Sequence, residues 1–115
     1  MRRAYTRRVR RFLIFVVAAA LALAIVAGSA TGASKAVKAK NFQFVAKTVT
    51  IQKGDKVTWT DVGGRHTVTF KTLSFDKTLS ANRPTVSKTF RQRGTFRYFC
   101  RFHRSFGMTG KVIVQ

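Results

Sequence analysis

Residues 98–110 read Y-F-C-R-F-H-R-S-F-G-M-T-G, and positions 100 to 108 of that stretch hold a thiol (Cys100), an imidazole (His103) and a thioether (Met108). Thiolate, imidazole and thioether are together the donors of a soft copper centre, in which two histidines and a cysteine form a plane and a methionine binds weakly along the axis. Such a centre needs a second imidazole. The chain has one other histidine, His66, within W-T-D-V-G-G-R-H-T-V at residues 59–68. Cysteine occurs once, histidine twice and methionine once besides Met1, so the set is complete with nothing left over. Zinc accepts cysteine and histidine equally well, but a structural zinc site usually shows paired cysteines and seldom uses a thioether.

The stretch that leads into this loop alternates. Along residues 95–100 a period of two places Phe96, Tyr98 and Cys100 on one face and Thr95, Arg97 and Phe99 on the other. Cys100 thus ends a strand pointing with the core aromatics, and the loop after it can carry His103 and Met108 back over the same spot. His66 must arrive from a separate strand. Ligands held by two strands of a sandwich keep one geometry in both oxidation states, which suits passage of an electron.

The two motifs W-x-D-x4-H-T-V and G-x-F-x-Y-F-C-x2-H-x4-M-x-G resemble those of the cupredoxins, the type 1 blue copper proteins, and in particular the plastocyanin-like branch. The similarity runs over residues 41–114. It implies one copper cycling between Cu(I) and Cu(II), bound by His66, Cys100, His103 and Met108, in a carrier that shuttles electrons between redox partners. By the same resemblance Thr67, where plastocyanins commonly have asparagine, and Gly107 support the ligands and tune the sulfur. Phe99 falls where plastocyanins have a surface aromatic that marks a second electron route. Phe102 replaces a proline common before the loop histidine. Phe102 and Phe106 flank His103 and read equally as loop packing or as an apolar rim for electron exit, with Arg65, Arg101 and Arg104 supplying positive charge around it.

Short runs rich in β-branched and aromatic residues recur at residues 40–44, 48–51, 56–60, 66–70, 85–90, 95–100 and 111–114, punctuated by turns such as Lys53-Gly54-Asp55. That spacing predicts an all-β, antiparallel β-sandwich, and the resemblance makes it a Greek-key, cupredoxin-like one. Residues 71–84 are the least regular, with Pro84 suited to a loop or edge. Trp59 reads as core, and Gly63-Gly64 as a tight loop that lets the chain reach His66.

Residues 1–11 carry six arginines and no acid and run into an apolar block at residues 12–27 that ends in Gly28-Ser29-Ala30, the pattern of a signal helix cleaved after Ala30. An uncleaved membrane anchor is the alternative. Residues 31–40 read as a flexible tether, and 41–115 as the copper-binding domain, outside the cytoplasmic membrane: periplasmic, envelope-bound or extracellular. A single cysteine in an exported chain cannot close an internal disulfide.

Of 23 basic residues 17 lie beyond residue 30, against three acids, so the domain keeps a formal charge of +14. The expected partners are acidic redox proteins or an anionic envelope or membrane surface. Nucleic acid is disfavoured by export and by the lack of a basic strip interleaved with aromatics. A monomer is expected. Catalysis is disfavoured too: four protein ligands leave no open metal position, no histidine remains for a second copper, and no triad or carboxylate pair exists. Copper delivery without electron turnover and a metal-free cationic module remain as alternatives.

Overall fold

The computed structural model describes residues 32–115, so the expected signal helix or anchor and its cleavage position lie outside the described residues. Nine strands follow one another: β1 (Ser34–Lys40), β2 (Gln43–Val45), β3 (Thr48–Ile51), β4 (Lys56–Asp61), β5 (His66–Phe70), β6 (Phe75–Leu79), β7 (Thr85–Thr89), β8 (Gly94–Phe99) and β9 (Thr109–Val114). They form a four-stranded sheet in the order β2-β1-β4-β7 and a five-stranded sheet in the order β3-β9-β8-β5-β6. The all-β sandwich is thus as the sequence implies.

Its sheets are mixed rather than wholly antiparallel. β1 lies parallel to β4, with Val37 opposite Trp59, and β3 lies parallel to β9, with Thr48 opposite Lys111. The chain crosses between the sheets after β2 and again after β3, so β4 returns to β1 running in the same direction. Hairpin neighbours such as β5 and β6 or β8 and β9 stay antiparallel.

Alternation builds the core. Val37 and Ala39 of β1, Val49 and Ile51 of β3, Val57 and Trp59 of β4, and Val112 and Val114 of β9 are all buried. Trp59 meets Phe70 and Tyr98 edge to face at 5.8 and 5.4 Å, and Tyr98 meets Phe44 at 4.8 Å. Each such aromatic pair adds about 0.5–1.5 kcal/mol beyond its buried area. Gly110 opposes Tyr98 in the β8–β9 register, and a Cβ there would fall 2.5 Å from the phenol oxygen, so the ring fits only over a glycine.

Two readings of the sequence are corrected. Residues 34–40 are not a tether but strand β1, hydrogen-bonded on both sides to β2 and β4 with Val37 and Ala39 inward. The Asp55 carboxylate holds the start of this segment by accepting from the Ala33 amide at 2.8 Å and from the Gln52 amide at 2.9 Å. The alternating run at 40–44 is not one strand either. Asn41 and Phe42 form the turn between β1 and β2, with Phe42 at φ 66°, and the turn throws the Phe42 ring outward. Residues 71–84 resolve as a turn, the edge strand β6 and a loop in which Pro84 precedes β7.

Candidate metal centre

β5 opens with His66, fully buried, straight after the Gly63-Gly64 turn. Its Nε2 lies 2.7 Å from the Gly63 carbonyl oxygen. A carbonyl only accepts, so Nε2 carries the proton and Nδ1 is left with a free lone pair. The Asp61 carboxylate, 3.9 Å from Nε2, reinforces that tautomer and itself accepts from the Gly63 amide at 3.0 Å. Gly64 has φ 87°, and a Cβ on it would lie 3.1 Å from His66 Nε2.

His66 Nδ1 faces the sulfur of buried Cys100 at 4.0 Å, and His103 Nδ1 reaches the same sulfur at 3.6 Å. The donor atoms of His66, Cys100 and His103 all lie within 4.8 Å of one another. A thiolate and an imidazole bound to one metal at about 2.3 and 2.0–2.1 Å, with angles between tetrahedral and trigonal, stand about 3.5–3.8 Å apart. The His103 distance of 3.6 Å falls in that range and the His66 distance of 4.0 Å just beyond it, so a small inward shift of His66 would let both share one ion.

The loop between β8 and β9 also carries Met108, the fourth expected donor. Cys100 donates its amide to the Met108 carbonyl at 3.0 Å, and Met108 donates to the His103 carbonyl at 3.2 Å. Between them Arg104–Phe106 make one 3-10 turn that ends on Gly107 at φ 80°, which a residue with a Cβ would adopt at a cost. Met108 is fully buried, on the same loop as Cys100 and His103. Thr67, the residue after His66, aims its amide at the Cys100 sulfur at 3.4 Å, a donor that stabilises the thiolate.

A chain of hydrogen bonds backs the site. The Arg101 amide donates to the Thr67 hydroxyl at 2.7 Å, Thr67 lies 3.0 Å from the Thr69 hydroxyl, and Thr69 donates to Asp76 at 2.8 Å. Arg101 Nε closes the ring on Asp76 at 3.1 Å. The Thr69 hydroxyl, aided by the Arg101 guanidinium, holds the Asp76 carboxyl below the usual value for aspartate. These bonds satisfy the hydroxyls of Thr67 and Thr69, which are buried along with the rest of β5.

The expected exit residues divide into two patches. Around half-buried His103 stand Phe102 (41 % exposed) and Phe106 (66 %), with ring centroids 6.4 and 6.5 Å from the imidazole. Arg65 and Arg101 lie over the Phe102 ring at 5.2 and 5.5 Å. Phe42 is the member that sequence reasoning missed: it is 48 % exposed and 4.9 Å from both His103 and Phe106. Only its place in the β1–β2 turn puts it there. Phe99 stands apart on the outer face of the five-stranded sheet, with Arg104 over its ring at 4.2 Å and Lys71 at 5.8 Å.

A two-sheet sandwich that gathers two imidazoles and a thiol from β5 and the β8–β9 loop, with a buried thioether on the same loop, defines a cupredoxin. The description "Copper binding proteins, plastocyanin/azurin family" matches residues 31–115, and the chain belongs to that family. It is 39 % identical over 84 residues to a chloroplastic plastocyanin of Tetradesmus obliquus, covering 63 % of this chain and 58 % of that relative. It is 33 % identical over 84 residues to the plastocyanin of Scenedesmus fuscus, of which it spans 86 % against 63 % of itself. Among solved structures it is similar to oxidized plastocyanin from Dryopteris crassirhizoma, with a TM-score of 0.64, 25 % identity, and coverage of 70 % of this chain and 100 % of that one. It is also similar to amicyanin from Paracoccus versutus, with a TM-score of 0.62, 27 % identity, and coverage of 77 % and 87 %. Copper is the cofactor of this chain.

Proposed function

We propose that the protein is an exported, mononuclear copper carrier that passes single electrons between redox partners and catalyses no reaction of its own. The observation that carries this reading is the convergence of His66 Nδ1 and His103 Nδ1 on the Cys100 sulfur, with the Thr67 amide already aimed at that sulfur. His66, Cys100, His103 and Met108 are the ligands, and copper bound there supplies a one-electron couple. The protein contributes rigidity. Nε2 of His66 is fixed by Gly63, Met108 is tied by two backbone bonds, and His66, Cys100 and Met108 are buried, so neither oxidation state needs a new arrangement. Burial of three ligands also speaks against copper delivery, which calls for exchangeable ones.

His103 is the ligand that reaches the surface, within the rim of Phe42, Phe102 and Phe106. That apolar rim is a natural face for transient docking, and Arg65 beside it favours an acidic partner or an anionic envelope surface. Export rests on the arginine-rich, apolar leader, whose removal leaves a domain that begins at or before β1 rather than at residue 41.

The deciding experiment is Cu(II) addition to purified protein. An intense blue band from charge transfer between the Cys100 sulfur and Cu(II) is expected, lost in Cys100→Ser. Met108→Leu is expected to keep copper and raise the reduction potential, because a weak thioether donor would be gone. A colourless Cu(II) complex, or preference for zinc in direct competition, overturns the assignment.

A further inference from the structure

The outer face of the five-stranded sheet carries a second feature, away from the ligand cluster. β8 and β9 pair with Arg97 directly opposite Lys111, and β3 lies beyond β9 with Thr48 opposite Lys111. Lys47, at the entry to β3, accepts the Lys111 amide on its carbonyl at 2.9 Å, and its side chain lines the same recess. Across β8, Arg104 and Lys71 sit on the Phe99 ring. The five cations and Phe99 line one concave cavity of about 580 Å³. That volume lies within the range of about 300–1,000 Å³ usual for small-ligand pockets.

Like charges directly opposite each other on paired strands destabilise a sheet. An acid among them would remove the cost, but no acid lines the cavity. Each acid of the described residues is committed elsewhere: Asp55 to the Ala33 and Gln52 amides, Asp61 to the Gly63 amide, and Asp76 to Thr69 and Arg101. The chain therefore holds an unneutralised ring of positive charge around a recess with an aromatic wall, at a standing cost. A multivalent oxyanion offsets it. Guanidinium groups grip phosphate or carboxylate through paired hydrogen bonds, and ammonium groups add point charge.

We infer that this recess, lined by Lys47, Lys71, Arg97, Arg104, Lys111 and Phe99, is a binding site for a small polyanion bearing phosphate or carboxylate groups. Its concavity favours a compact anion over a broad protein face; the flatter surface at the His103 rim serves that purpose. The inference stands apart from the copper reading, since none of the six residues is a proposed ligand.

The test uses the full protein in its reduced, copper-loaded form, because hard oxyanions do not compete for Cu(I). Inorganic pyrophosphate and citrate are titrated separately at fixed ionic strength and followed by calorimetry and by amide chemical shifts. Saturable one-site binding is expected, with shifts centred on Thr48, Phe99 and Lys111, and it is weakened at least tenfold in Arg97→Gln and in Lys111→Gln. Lys38→Gln, an equal loss of charge on the opposite sheet, leaves it unchanged. Saturation by pyrophosphate alone assigns a phosphate ligand, and by citrate alone a carboxylate one. Without any anion, Lys111→Gln melts higher than Lys38→Gln because one half of the repelling pair is gone. Equal weakening in Lys38→Gln, or no saturation by either probe while an acidic protein still shifts the same amides, overturns the site and gives the face to nonspecific attraction or to protein docking.

Discussion

Gly64 shows how narrowly one residue fixes the site. Its φ of 87° excludes an ordinary side chain, and its missing Cβ is the space that the His66 imidazole and the Asn41 side chain occupy. Gly64→Ala is expected to lower the melting temperature and to broaden and shift the blue band, since His66 must tilt. Gly63→Ala, also at positive φ but with open space around the added methyl, carries the backbone cost without moving the ring. Comparison of the two spectra isolates the contact. Tyr98 gives a different signature. Its hydroxyl is buried with no hydrogen-bond partner, and burial pushes its pKa up to about 12 from 10. The unfolded chain ionises first, so this group's contribution to stability is whole below pH 10 and lost as pH rises toward 12. Urea midpoints measured from pH 9 to 12 are expected to fall less steeply in Tyr98→Phe, which also removes the orphaned hydroxyl, than in the parent.

Strand β1 is the element where the sequence misleads. Ser34-Lys35-Ala36-Val37-Lys38-Ala39-Lys40 has a single β-branched residue, and only Val37 and Ala39 face inward, too short a period to read against an Ala- and Lys-rich background. Its strand character comes from partners on both sides, β2 and β4, which are invisible in the local composition. Val37→Asp is expected to cost several kcal/mol, roughly 3–5, by burying an unpaired carboxylate. Lys38→Asp, on the outer face of the same strand, is expected to stay within about 0.5 kcal/mol. Equilibrium denaturation of both variants checks the pair. The loop that holds three of the proposed ligands is legible for the opposite reason. Cys100, His103 and Met108 sit close in sequence, their chemistry is scarce in this chain, and β8 alternates cleanly into Cys100, so neither tertiary partners nor composition could obscure them. Phe42 is not legible because the alternation at residues 40–44 continues through an exposed turn, and the tautomer of His66 is not because it depends on the Gly63 carbonyl, a backbone atom.

At the scale of the molecule, charge is the dominant property. The described residues hold 17 basic side chains and three acidic ones, so positive charge dominates the external field. Electron exchange with an acidic partner is expected to slow strongly as ionic strength passes about 0.1 M, where the screening length is about 10 Å. Arg65→Glu, beside the His103 rim, slows that exchange at low salt and flattens its salt dependence. Stopped-flow rates indifferent to salt, or faster with a basic partner, would instead give the charge to solubility or envelope retention.

The parallel pairing of β3 with β9 has a bearing on biosynthesis. β9 is an interior strand of the five-stranded sheet, flanked by β3 and β8, and the loop that leads into it holds three of the four proposed ligands. A nascent chain halted before Thr109 lacks the strand that pairs with β3 and that follows directly on Met108. The folded arrangement of the four residues can therefore form only after translation has passed β9, and until then the Cys100 thiol lacks the burial that shields it in the finished domain.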